Sequence, residues 1–328
     1  MAGTLTHAHF IIDVYDKLGI KSKELLVSNK EQLKVYAQNM DVLFFYNLFS
    51  LKHGKKIRDF GEFFHNNKSY DFFSTLINYI KYNNYQYNPD VISFLYGMLS
   101  HYVLDSNLHP YVVYKTGMYD KNNKETYKYN MKHNIMENYI DCYIVSLKEN
   151  TKCKNFKCYN YCFNVTGLNK SLIEVIDFTY NEVFGIKEFH KYYLKSIKQM
   201  KKFYKLFRYD PIGIKKGFYG CIDLVCPKSL LLKKPLSFNI KLSNEKSKYY
   251  LNLNNKTWYY PTDKKIKSKE SVLDIYNRCI DETINIIKEI NKFLYYDEKI
   301  NLKETIKNNS YLTGKDCSLN EELKYFEY

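Results

Sequence analysis

Glycine and proline are scarce, 12 and 6 in 328 residues, and there is a single tryptophan. A sandwich or barrel of many short strands needs a turn between each pair, and so few turn formers argue against one. No run of 18 apolar residues occurs, which excludes a transmembrane helix. The opening MAGTLTHAHFIIDVYDKL lacks a basic start, an apolar run and a small-residue cleavage site, so no secretory leader is read and a cytoplasmic location is expected. In that compartment the eight cysteines stay reduced. Cys153, Cys158 and Cys162 in KCKNFKCYNYC are close enough in sequence to share a metal, but their spacing fits no zinc finger or ribbon, and free thiols are the expectation.

What is present suits a packed helical protein. Apolar residues make up 45% of the chain and aromatics 17%, enough to fill a core and to set disorder aside. Helical periodicity recurs, most clearly in Val272, Ile275, Cys279, Thr283, Ile286, Ile290 and Leu294, opened by the capping pair Ser271 and Asp274. A second stripe carries Phe189, Tyr193, Ile197, Met200 and Phe207, with lysines at the polar positions. The expected fold is all-α, one domain over residues 1–328, with a core over 1–150 and accessory helices and a basic loop over 151–328. Between about 228 and 267 the pattern turns irregular, and pieces such as FNIKL and YYLNL read as a small hairpin or an extended insertion.

The formal charge is +15, but a Lys-, Asn-, Ile- and Tyr-rich composition also follows from A/T-rich coding, so the sum alone identifies no partner. Its placement says more. Residues 228–269 hold eleven lysines against two acids, Glu245 and Asp263, a solvated basic surface suited to peripheral contact with an anionic membrane. Nucleic acid is a less favoured partner.

Seven of the eight histidines precede residue 134, which places the chemistry in the first half. In FLYGMLSHYVLDSNLHPYV, His101, Asp105 and His109 are spaced i, i+4, i+8, along one face of a helix whose neighbours are apolar. A buried carboxylate between imidazoles needs a compensating charge, which a divalent cation supplies. Gly97, one turn earlier, leaves space on that face for a metal or substrate, and Pro110 is expected to end the helix and turn His109 towards a second metal. The segment NMKHNIMENYIDCYIVSL repeats the spacing with His133, Glu137 and Asp141, the last a candidate to support the ligands from behind. Upstream, His7 begins the first helix, Asp41 opens DVLFFYNLF and His65 closes the helix that starts near Ile57. His9, His53 and His190 have no partner at metal spacing and read as structural or exposed. One helical histidine is usually a packing residue, but two helices that each pair histidine with a carboxylate at i+4 favour metal. Mixed imidazole and carboxylate ligands suit zinc, with manganese or iron as alternatives, and eight candidates exceed one tetrahedral shell, so two or three ions are expected.

These residues resemble the zinc-dependent phospholipase C family, in Thr6–His7, the Asp41 segment NMDVLFFY, His65, GMLSHYVLDSNLHPYV and HNIMENYID, and further on in YYLNLNNKTWYYP before a helix. The resemblance implies an all-helical fold around a trinuclear zinc site, shared with fungal single-strand nucleases. It implies one zinc on Asp41, His65, His101 and Asp105 and a second on His109, His133 and Glu137. Asp105 would bridge to a third near His7, a position that secreted members complete with a processed amino terminus not expected here. The spacing from Asp105 to His109 is shorter than in the secreted enzymes, and that from Asp41 to His65 longer. The implied activity is hydrolysis of a phospholipid or other phosphodiester by water, with Asp41 as the catalytic carboxylate that helps deprotonate it. Phe64 and Tyr102 are near enough in sequence to shape a head-group pocket, although with 35 Tyr and 21 Phe packing is favoured. The competing expectations are a catalytically silent relative that binds metal or anionic lipid, and a single-strand nuclease on the same scaffold.

Overall fold

The computed structural model describes residues 3–48, 50, 53–120, 122–129, 131–165, 167–208, 212, 214–225, 247–319 and 321–327. Its first half is a succession of helices: α1 (Thr4–Lys17), α2 (Ile20–Leu26), α3 (Lys30–Tyr36), a 3₁₀ helix (Asn39–Phe45), α4 (Lys55–Asn66), α5 (Ser69–Tyr82), α6 (Pro89–Thr116) and α7 (Lys132–Glu149). Further helices span Lys170–Phe184, Phe189–Leu206, Ile214–Val225 and Val272–Tyr296. The fold is all-α. Two short strands, β1 (Trp258–Tyr259) and β2 (Lys267–Ser268), pair antiparallel in a hairpin.

Helix α6 is the axis of the molecule. It is apolar on nearly every face, as a helix enclosed by others must be, and it packs against α1, α3, α7, Lys170–Phe184 and Val272–Tyr296. Its start is fixed by Pro89 in the first turn and by the Asn88 side chain, which accepts from the Asp90 and Val91 amides. Pro110 does not end it. The helix runs on to Thr116, because enclosure by neighbouring helices outweighs the loss of one backbone hydrogen bond, about 3 kcal/mol with the accompanying clash. The Ser106 carbonyl, four residues before the proline, is packed by Gly314: a Cβ there would fall 2.3 Å from that oxygen, and φ is +66°.

Gly97 is not an opening in the α6 surface. A Cβ on it would meet the Tyr36 and Ala37 backbone at 2.8 and 2.9 Å and the Tyr36 Cβ at 2.7 Å, so the glycine is a contact point where α3 reaches the α6 axis. That approach delivers the Ala37 carbonyl to His101.

The second half covers this core. The stripe on Val272–Tyr296 is buried at Val272, Ile275, Cys279, Thr283, Ile290 and Leu294 and half-buried at Ile286, and Ser271 and Asp274 form the reciprocal capping box. Phe189, Tyr193, Ile197, Met200 and Phe207 are buried too. The pieces FNIKL and YYLNL carry the expectation of a hairpin near 228–267. The first lies outside the described residues, and the second begins in a helical turn, Ser247–Tyr250. The strands form instead around Trp258, whose indole donates to the Glu270 carbonyl and packs on Tyr111 of α6. Among the described residues no helix is long and apolar enough to cross a membrane.

Gly97→Ala is expected to lower stability by about 1–3 kcal/mol, since overpacking against backbone outweighs the roughly 1 kcal/mol that alanine gains in a helix. The urea midpoint reads this directly; a variant as stable as the parent would contradict the close approach of α3 and α6.

Candidate metal centre

The eight candidate ligands come from α1, the 3₁₀ helix, α4, α6 and α7, and the fold gathers them into three overlapping groups: His7, His101 and Asp105; Asp41, His65 and His101; His109, His133 and Glu137. In each group one ligand atom per residue lies within 4.8 Å of the others. His101 and Asp105 are fully buried, and His133 is the most exposed of the eight, at 24%.

The distances suit a bound ion. Two ligand atoms about 2.0–2.2 Å from one tetrahedral zinc stand about 3.3–3.5 Å apart. Here Nε2 of His65 is 3.0 Å from Oδ1 of Asp41, with His101 Nε2 3.8 Å from the same oxygen. His7 Nε2 is 3.2 Å from Asp105 Oδ1, and His101 Nε2 is 3.1 Å from Asp105 Oδ2, so the two oxygens of Asp105 face different histidines. In the third group His133 and His109 place Nε2 2.8 and 3.9 Å from Glu137 Oε1.

Orientation supports the same reading. Nδ1 of His65 donates to the Gly61 carbonyl at 2.6 Å, that of His101 to Ala37 at 2.8 Å and that of His109 to Tyr311 at 2.7 Å. With Nδ1 protonated, Nε2 carries the lone pair. In all three rings that nitrogen is buried with no hydrogen-bond partner, as is Oδ1 of Asp41. A buried acceptor without a donor costs about 1–3 kcal/mol, and four of them aimed at common points fit the donor set that cations between them would take up.

The electrostatics of the protein alone show the same demand. Burial pushes the Asp105 carboxyl up, but His109, His101 and His7 outweigh it and hold the group well below the usual carboxylate range. Burial pushes His101 down, yet Asp105 and Asp41 outweigh it and leave the imidazole raised, whereas burial and the neighbouring His101 lower His7. The rings of His7 and His101 stack at 3.8 Å. A divalent cation at this point would compensate both buried carboxylates and take up the nitrogens that face them.

A cavity of about 310 Å³ opens onto the second and third groups, with His65, His109 and His133 in its wall. Phe44, Met118, Tyr129, Met131 and Tyr311 make the rest largely apolar and aromatic, and Glu62 is the one acid among the described residues that line it. The His7 group lies behind, away from this cavity. Phe64 and Tyr102 are packing residues: Phe64 sits against Phe72 and Tyr180, and the Tyr102 hydroxyl donates to the Lys307 carbonyl.

Asp141 supports the centre from an unexpected side. Its Oδ1 accepts from both the amide and the hydroxyl of Thr6 at 2.8 Å, which caps α1 from α7 and seats His7. Gly3 permits this, since a Cβ there would fall 2.1 Å from the carboxylate. His109 reaches the third group without any break in α6. His9 is buried against Tyr161, His190 pairs with Asp177, and His53 is exposed. Cys158 and Cys162 lie with their sulfurs 3.9 Å apart, and among the described residues the cysteines join no ligand group. Sequence reasoning missed Ala37 and Tyr311, which act through backbone carbonyls and leave no side-chain signature.

The centre is a buried, helical set of three histidine–carboxylate groups, each able to hold a metal ion. The family model for zinc dependent phospholipase C matches residues 6–177, which include all eight candidate ligands, and the chain belongs to that family. No curated protein and no solved structure matches it.

Asp141→Ala leaves two donors at the start of α1 without their charged acceptor. The expected loss is about 1.5–3 kcal/mol in the urea unfolding of the metal-free protein. An unchanged midpoint would show that Asp141 does not cap α1.

Proposed function

We propose that this protein is a zinc-dependent phosphodiester hydrolase of the phospholipase C type. The observation that carries the reading is the convergence of two ligand groups, Asp41–His65–His101 and His109–His133–Glu137, on one cavity, with a third group behind them. Zinc held there supplies polarisation of the phosphoryl oxygens and a nucleophile at neutral pH. The chain's own residues do the rest. Neutral Nε2 atoms, fixed by the carbonyls behind them, hold the cluster in place, and Asp105 turns one oxygen to His7 and the other to His101. Asp41 is the carboxylate placed to accept a proton from the attacking water, beside His65. Phe44, Tyr129 and Tyr311 narrow the cavity and exclude bulk water. Its volume, near the lower bound for ligand pockets, admits a phosphodiester with a small head group and leaves acyl chains outside.

Purified protein is expected to carry at least two zinc ions per chain and to hydrolyse a chromogenic phosphocholine ester. Asp41→Asn is expected to lower kcat by about 10²–10⁴-fold, the range for loss of a positioned acid or base. Elemental analysis beside a substrate panel decides the matter: no stoichiometric transition metal would overturn the reading, and cleavage of single-stranded oligonucleotides alone would reassign the substrate.

A further inference from the structure

The structure assigns a role in the centre to residues far outside the stretch that identifies the family. The segment Ile306–Gly314 crosses the cavity end of the core and is tied down along its length. Tyr102 donates its hydroxyl to the Lys307 carbonyl at 2.5 Å and accepts from the Asn309 amide at 3.2 Å. Ser69 donates to the Asn309 carbonyl, Ser310 donates to the Asn66 side chain, and Gly314 packs on Ser106. Three helices, α4, α5 and α6, thus hold a segment that has almost no secondary structure of its own.

At its centre is Tyr311, fully buried. Its amide donates to the His65 carbonyl at 2.8 Å, and its own carbonyl accepts from His109 Nδ1 at 2.7 Å. Its ring stands edge-on to His65 at 5.0 Å and 74°. Its hydroxyl accepts from Asn39 at 3.3 Å, and Asn39 lies two residues before Asp41 in a turn with φ +46°. One residue therefore touches both the ring and the backbone of one candidate ligand, the ring nitrogen of a second and the turn that carries a third. His65 takes its orienting carbonyl from Gly61 on its own helix and His101 from Ala37, close to Asp41 in sequence, whereas His109 takes its carbonyl from a residue 202 positions away.

We propose that Ile306–Gly314 is a positioning strap of the metal centre. It sets the tautomer and direction of His109 and holds the group His109–His133–Glu137 in register with Asp41–His65–His101. This rests on the zinc reading above. The general expectation for an orienting partner behind a metal-bound histidine is a 10–100-fold effect on metal affinity. The strap therefore matters for how tightly zinc is held, beyond its share in folding.

The test compares the parent with Gly314→Ala, which drives a Cβ into Ser106, Tyr311→Ala, which removes the ring and hydroxyl, and Tyr102→Phe, which loosens one anchor and leaves every candidate ligand intact. Zinc affinity is read by competition with a chromogenic chelator, and the fold of each metal-free variant by circular dichroism. The expected result is a folded Tyr102→Phe protein with zinc held several-fold more weakly. Gly314→Ala and Tyr311→Ala should lose about 10–100-fold in affinity for part of the zinc. Should either of these two fail to fold, Tyr102→Phe decides alone. Parent-like zinc affinity in every folded variant, with only the melting temperature lowered, would overturn the strap while leaving the zinc reading intact. A parent that binds no zinc would overturn both.

Discussion

Two carboxylates buried among imidazoles at the middle of the molecule set the terms for everything around them. Asp105 is fully enclosed and Asp41 nearly so, and a charge in that position is tolerated only with compensation of several kcal/mol. Histidines from α1, α4 and α6 surround them, and the rings of His65, His101 and His109 each present Nε2 inward while Nδ1 finds a carbonyl acceptor. The Ala37 carbonyl needs α3 pressed onto α6, which Gly97 allows. The Gly61 carbonyl needs one further turn of α4. The seat of His7 needs the start of α1 capped by Asp141. Helix packing and site geometry are here the same set of contacts.

That dependence explains the unusual burial of α6. A helix that carries three ligands at i, i+4 and i+8 must keep water from the charges between them, so it is enclosed on every side and tolerates Pro110 within its length. The centre is also graded in depth. His7, His101 and Asp105 lie behind the cavity, while His65, His109 and His133 form part of its wall. A deep group suits a purely electrostatic or structural ion, and the wall groups suit contact with a substrate phosphate.

Much of this is legible in the amino-acid order because side-chain spacing on a helix is periodic. The His–carboxylate pairs on α6 and α7, the stripe on Val272–Tyr296 with its Ser271–Asp274 capping box, and the scarcity of turn formers all follow from that rule. Periodicity states which residues share a face, not what lies against it. Gly97 accordingly reads as space when it is a contact, Pro110 reads as an end when enclosure carries the helix through, and Asp141 reads as a ligand's support when it caps another helix. The carbonyls of Ala37 and Tyr311 are invisible for a further reason: every residue has one, so only the fold selects which of them meets a histidine. Where strands form was equally hidden, since the alternating YYLNL is taken into a helical turn while Trp258 anchors the hairpin to α6.

The central claim is positional: cations belong between the buried carboxylates and the Nε2 atoms that face them. Diffraction from crystals of the zinc-loaded protein, recorded on both sides of the zinc absorption edge, tests it most directly. The account predicts anomalous peaks bounded by Asp41, His65 and His101 and by His109, His133 and Glu137. Ordered crystals with zinc in solution and no peak at either position, or with zinc at the cysteines 153, 158 and 162 instead, would contradict it.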